Sequence, residues 1–148
     1  NIKWSVTLLS DGFEGTPWDF YWGNGTTDWQ PGAGYGGSTY SAEHASGDTY
    51  LTSDDLDASD AAENITVSFW FKLKLLNKGP LWVQTYNGTS YDNWFDLVSY
   101  AGGVKNTWLY FSETITNSLY FISNFSISFD GSTLTTNAFI DDVLIQKN

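Results

Sequence analysis

The 148-residue chain has no cysteine, no arginine, one histidine and no long apolar run. Without cysteine there is neither a disulfide framework nor thiol chemistry, and a domain of this length does not need disulfides to fold. Without arginine the basic complement is six lysines against 17 acidic residues, a net charge of −11. Such a charge repels nucleic acid and anionic membranes, so neither is expected as a partner. No stretch approaches the roughly 20 apolar residues of a membrane-spanning helix, and the first residues carry no secretion leader. The expectation is a mature domain or an excised module: one domain over residues 1–148, able to bury its own core. The lone imidazole, His44, disfavours zinc and leaves nucleophile-and-base catalysis without its usual base. Next to the 45–47 turn it reads as structural.

What the chain does have is β-pattern. Apolar residues alternate in Val67-Ser68-Phe69-Trp70-Phe71-Lys72-Leu73 and in Leu81-Trp82-Val83-Gln84-Thr85-Tyr86, each the signature of a strand with one buried face. Further strands are expected near 4–9, 48–53, 94–99, 107–113, 118–122, 124–129 and 138–146. Turns punctuate them at Asn87-Gly88, Gly102-Gly103 and Asp130-Gly131. No segment sustains a helical period. Many short strands with regular turns predict an all-β antiparallel sandwich or jelly roll of two stacked sheets. The stretch from Asp11 to Ser46 breaks the rhythm and reads as a long loop, its aromatics arguing for function over disorder.

Carboxylates sit inside apolar, strand-like segments at both ends: Asp11-Gly12-Phe13-Glu14-Gly15 and Phe139-Ile140-Asp141-Asp142-Val143-Leu144-Ile145. An antiparallel sandwich would bring these first and last strands together, which suggests a shared cation. Only oxygen donors are available, which suits a hard ion such as calcium, with its six to eight oxygen ligands. The acidic run Asp54-Asp55-Leu56-Asp57-Ala58-Ser59-Asp60 lacks the Gly and spacing of an EF-hand and reads as a solvated loop.

The opening Asp11–Gly15 with Trp18, the Ala45–Leu51 segment, the Val67–Lys72 strand and the closing Ile140–Val143 resemble, in that order, a known group. It comprises calcium-binding jelly rolls, among them many carbohydrate-binding modules of secreted glycoside hydrolases, and the related MAM-type adhesion domains. MAM domains typically carry cysteines, so the resemblance tilts to a carbohydrate-binding module. It implies calcium ligation by Glu14 and Asp141, with Asp48 and a nearby carbonyl as further contributors and Asp11 a weaker one, in a structural role. Asp11 and Asp142 have an alternative reading as ordinary turn or edge residues.

Aromatics make up 18 % of the chain, with eight Trp, more than one sandwich core needs. Period two puts Val67, Phe69, Phe71 and Leu73 on one face and Ser68, Trp70 and Lys72 on the other. If the following strands are neighbours, Trp70, Trp82, Gln84, Tyr86, Trp94 and Asp96 line one concave surface. Aromatic rings stack on the C–H faces of sugars while Gln, Asp and Lys bond the hydroxyls, so a neutral polysaccharide of glucan, mannan, xylan or chitin type is the expected partner. Trp22, Trp29 and Tyr35, in the Gly-rich loop, are candidates for the rim. Trp18 and Trp108 read as structural. The competing reading is that the indoles fill a second small core, since Trp is highly buried on average.

Catalysis finds little support: the four Glu, at 14, 43, 63 and 113, are scattered, with no close pair of the kind that flanks a glycosidic bond. Sequons at Asn24, Asn64, Asn87 and Asn124 are compatible with a secreted glycoprotein. The expected function is therefore a monomeric, extracellular, non-catalytic module covalently linked to a glycoside hydrolase. The alternatives are a protein-binding adhesion or surface-layer domain and a small jelly-roll glycosidase or lyase.

Overall fold

The computed structural model describes residues 4–24 and 29–148, Asn24 through its backbone alone. The Asn24 sequon therefore runs outside the described residues. The described residues form eleven strands: β1 (Val6–Asp11), β2 (Trp22–Asn24), β3 (Gln30–Ala33), β4 (Tyr40–His44), β5 (Tyr50–Ser53), β6 (Ile65–Leu73), β7 (Trp82–Tyr86), β8 (Tyr91–Asp96), β9 (Leu109–Ile115), β10 (Ile127–Asp130) and β11 (Ala138–Lys147). A one-turn helix, α1 (Leu97–Tyr100), follows β8, and a 3-10 turn occupies Ser118–Tyr120.

The strands make two antiparallel sheets. One runs β3-β4-β11-β6-β9 with β1 also on β11, and the other runs β2-β5-β10-β7-β8. The alternation of β6 is realised, with Ile65, Val67, Phe69, Phe71 and Leu73 buried. Between the sheets Phe69 stacks on Phe111 (4.5 Å between centroids) and takes Phe129 edge-on (5.1 Å). This is the sandwich expected from the alternation.

Two expectations are corrected. Residues 118–122 contain the 3-10 turn in place of a strand, the Asn117 side chain capping it by accepting from Leu119 N–H. The stretch 11–46 is not a loop, since it contains β2, β3 and β4. β2 and β3 carry Gly or Pro and β4 is only five residues long, so none of the three gives a clear period-two signal. Pro31 is tolerated because β3 is the sheet's edge.

His44 is fully buried, and it is structural as expected. Its Nδ1 lies 3.0 Å from the Thr136 carbonyl, and its Nε2 lies 2.8 Å and 3.2 Å from the carbonyls of Gly131 and Asp48. One ring thus ties β4 to two loops.

Candidate functional site

β1 and β4 pair with the same side of β11. β4 takes Ala138, Phe139 and Ile140, and β1 takes Val143 to Lys147. Where the partner changes, β11 also bulges against β6: Asp141 is opposite Trp70 and Leu144 opposite Ser68. The inserted residue places Asp142 at φ +50, a left-handed conformation that Asp visits more readily than most residues. Both carboxylates therefore fall at the junction of the first and last strands.

Asp141 is fully buried there. Its oxygens accept N–H bonds from Tyr35 and Asp142, both at 2.8 Å. Burial nonetheless pushes its carboxyl up to about 6, the two N–H bonds offsetting only part of the cost. Asp142 is also raised, chiefly by burial and then by the charge of Glu14. Glu14 accepts from the Ser38 hydroxyl and from Tyr40 N–H (2.9 Å), which lower its own carboxyl. Glu14 and Asp142 line an open cavity of about 400 Å³ bordered by the Tyr35–Thr39 turn. Gly12 lets the chain pass close by: a Cβ there would lie 3.1 Å from Asp142 Oδ1 and 3.9 Å from Asp141 Oδ1.

Asp11 and Asp48 do not share this cavity. Asp11 accepts from Phe13 N–H (3.0 Å) and Trp22 Nε1–H (2.7 Å), fixing the turn in which Phe13 adopts φ +60. Asp48 accepts from Ala45 N–H (2.7 Å) and closes the turn after β4. Among the described residues no three His, Cys, Asp or Glu side chains are arranged to hold a metal by themselves.

The expected aromatic surface is split in two. β6 and β7 belong to different sheets, so Trp70 and Lys72 lie on the outer face of one sheet and Trp82, Gln84 and Tyr86 on that of the other. The second group is coherent. On β7 these three residues are half-exposed and alternate with buried Val83 and Thr85. Asp130 and Asp96 pair on either side of Trp82, and Tyr50 follows beside Asp130. Gln84 Nε2–H donates to Asn93 Oδ1 (2.9 Å), and the Tyr86 and Tyr91 rings are 4.9 Å apart. Tyr50, Tyr91 and Asn93, all exposed, were not among the sequence candidates. Their signal lay in strand pairing, which no local pattern carries.

Trp94 does not join this face. β8 bulges between the partners of Val83 and Gln84, so Trp94 turns inward along with Phe95, and both pack on Phe111 (5.6 and 5.4 Å). Asp96 reaches the outer side, but its carboxylate accepts from Leu81 N–H, Val98 N–H and the Ser99 hydroxyl, capping α1. Trp22 and Trp29 are core, not rim: Trp29 is fully buried, Trp22 nearly so, and both pack on Phe129. Trp18 packs against Phe13 (6.0 Å).

On the six-stranded sheet the outer face carries its own cluster. Tyr35 stacks on Trp70 (4.0 Å, 14° between planes), and Trp108 meets Tyr35 edge-on at 5.7 Å. The Lys72 ammonium lies over Trp108 (5.1 Å) and Phe139 (4.6 Å). Trp108 thus sits on an outer face, half-exposed, not in the core.

No family model and no curated protein matches this chain. Solved structures do resemble it. A cleaved adhesin domain of Lys-gingipain from Porphyromonas gingivalis is 18 % identical with a TM-score of 0.61, over 97 % of this chain and 99 % of that one. The CBM22-1 xylan-binding domain from Paenibacillus barcinonensis is 15 % identical with a TM-score of 0.59, over 99 % and 97 %. A C-terminal family 22 carbohydrate-binding module of Clostridium thermocellum is 14 % identical with a TM-score of 0.62, over 95 % and 92 %. At these identities the likeness is one of fold.

Proposed function

We propose that this domain is a non-catalytic carbohydrate-binding module that takes a neutral polysaccharide on the outer face of its five-stranded sheet. The observation that carries the reading is the grouping of half-exposed Trp82, Gln84 and Tyr86 with exposed Tyr50, Tyr91 and Asn93 on that face. Aromatic rings provide the apolar surface for sugar C–H faces, and amides between them bond the hydroxyls. No lysine has a place in this group, which favours an uncharged glycan. The fold likeness supports it, since two of the similar structures are family 22 modules, one of them xylan-binding. Another similar structure couples such a module to a GH10 module complexed with xylohexaose. An extracellular setting and a linked glycoside hydrolase belong to the same proposal.

A structural calcium ion completes it. The junction of β1 and β11 supplies oxygen donors only, and Asp141 is a buried carboxylate with no cationic side chain beside it among the described residues. Glu14 and Asp141 would hold the ion with Asp142 and loop carbonyls, since calcium needs more oxygens than two carboxylates offer. Its charge would offset the burial of Asp141 and fasten the first strand to the last.

Affinity electrophoresis against soluble xylan, glucan and mannan, with pull-down on insoluble chitin, tests the sugar reading. Retardation that weakens at least tenfold in Trp82→Ala is expected, and no retardation by any polymer would remove the reading. A protein-binding adhesion domain is the second reading, favoured by the gingipain adhesin likeness. It predicts an interface that Trp82→Ala disrupts without any response to sugars.

A further inference from the structure

On the side of the sandwich away from Trp82 there is a second concavity. A groove of about 350 Å³ opens over the six-stranded sheet, lined by Trp70 and Tyr110 with Ser10, Ser68, Asp11 and Asp142 among its oxygen-bearing neighbours. The volume lies at the lower end of ligand pockets, which run from about 300 to 1,000 Å³, and suits a short saccharide. Tyr110 is opposite Trp70 in register, its ring 5.0 Å away and tilted by 46°. It is 53 % exposed on the edge strand β9 and contributes nothing to the core. Behind the pair, Tyr35 stacks on Trp70 from the β11 side, held by its N–H bond to Asp141. That backing fixes the indole before any ligand arrives, which lowers the ordering cost of binding.

We propose that this groove is a second saccharide site, so that one domain holds two glycan segments on opposite faces. The proposal rests on the carbohydrate-binding reading above. The chemistry of the groove sets the ligand class. Among the described residues its charged groups are Asp11 and Asp142 and no lysine lines it, so uronic and sulfated sugars are disfavoured. The Asp11 oxygens already accept from Phe13 and Trp22 and Asp142 is assigned to the calcium ion, which leaves the Ser10 and Ser68 hydroxyls to meet the hydroxyl groups of a neutral sugar. Tyr110 and Trp70 supply the stacking surface that a polar ion site would not need.

Titration calorimetry of the intact domain with neutral xylo-, cello-, manno- and chito-hexaose decides the matter. Two hexasaccharides per wild-type domain are expected, falling to one in Trp82→Ala and to one in Tyr110→Ala. Both rings are partly exposed, and thermal melts of each variant confirm that the fold persists. In Trp82→Ala the indole N–H resonance of Trp70 should still shift on adding sugar, and wild-type domain, but neither variant, should cross-link soluble polysaccharide by light scattering. One sugar per domain, lost in Trp82→Ala and indifferent to Tyr110→Ala, overturns the second site and leaves the first reading intact. A single site lost in Tyr110→Ala alone overturns the two-face arrangement by moving the only site to the groove. No heat with any hexasaccharide, together with no retardation by any polymer, overturns both.

Discussion

At the scale of single residues, the side chains that do most are those whose surroundings leave them no freedom. His44 is caught among three carbonyls, and a Cβ added at Gly131 would lie 2.4 Å from its Cδ2. The ring cannot yield without breaking those bonds, so Gly131→Ala should destabilise the fold by about 1–3 kcal/mol, read as a lower urea midpoint with unchanged slope. Asp141 presents the opposite case, a carboxylate whose burial opposes its charge. Burial pushes its folded carboxyl up to about 6, above the ordinary carboxylate value of 3.8, so between these values the folded chain holds a proton that the unfolded chain has released. Stability of the calcium-free protein should then rise as pH falls from 7 towards 4 and be lost as pH rises through 6. Thermal melts in chelator across that range should show the slope, and Asp141→Asn should flatten it. Glu14 and Asp141 could be picked out in the sequence as carboxylates within apolar segments; Asp142 could not be separated from an ordinary turn residue until the bulge placed it with Glu14 against one cavity.

At the scale of elements, two bulges decide which side chains face where. A strand's period is two, so one inserted residue exchanges its faces beyond that point. In β8 the insertion sends Trp94 inward beside Phe95 while Asp96 points out. The regular alternation of β6 and β7 is legible in the sequence because nothing interrupts it, and Trp70, Trp82, Gln84 and Tyr86 all face outward as that alternation predicts. The β8 insertion has no sequence signature, which is why Trp94 was misplaced. Paired substitutions separate the roles. Trp94→Ala should cost about 2–4 kcal/mol of stability by leaving a void against Phe111 and leave glycan affinity unchanged. Trp82→Ala should do the reverse, with stability within about 0.5 kcal/mol and affinity reduced. Chemical unfolding and affinity electrophoresis on the same two proteins give both readings.

At the scale of the whole molecule, β11 is the strand on which everything depends. It pairs with β6 along its length on one edge and divides its other edge between β4 and β1. A cation at the change of partner would join the two ends of the chain, so calcium should raise the melting temperature and chelator lower it. The shift should grow with calcium concentration as expected for binding to the folded state alone. It should disappear in a Glu14→Gln, Asp141→Asn double variant, and metal analysis of the dialysed protein checks the stoichiometry.

The sequence by itself determined the class of fold, the buried face of β6 and β7 and the meeting of the first and last strands, because alternation and turn chemistry are local and the two acidic segments mark the chain's ends. It also determined what the domain does not offer: no thiol, no arginine and a strongly acidic surface. Only the tertiary structure decided which sheet each strand joins, and that moved Trp70 and Trp82 to opposite sides of the molecule. It buried Trp22 and Trp29 as core, drew Tyr50, Tyr91 and Asn93 to Trp82, and set Tyr110 and Tyr35 around Trp70. The reason is physical: the facing of a side chain is fixed by its own strand, but its neighbours across a sheet are fixed by pairings between residues far apart in the chain. A pattern of period two cannot encode those pairings.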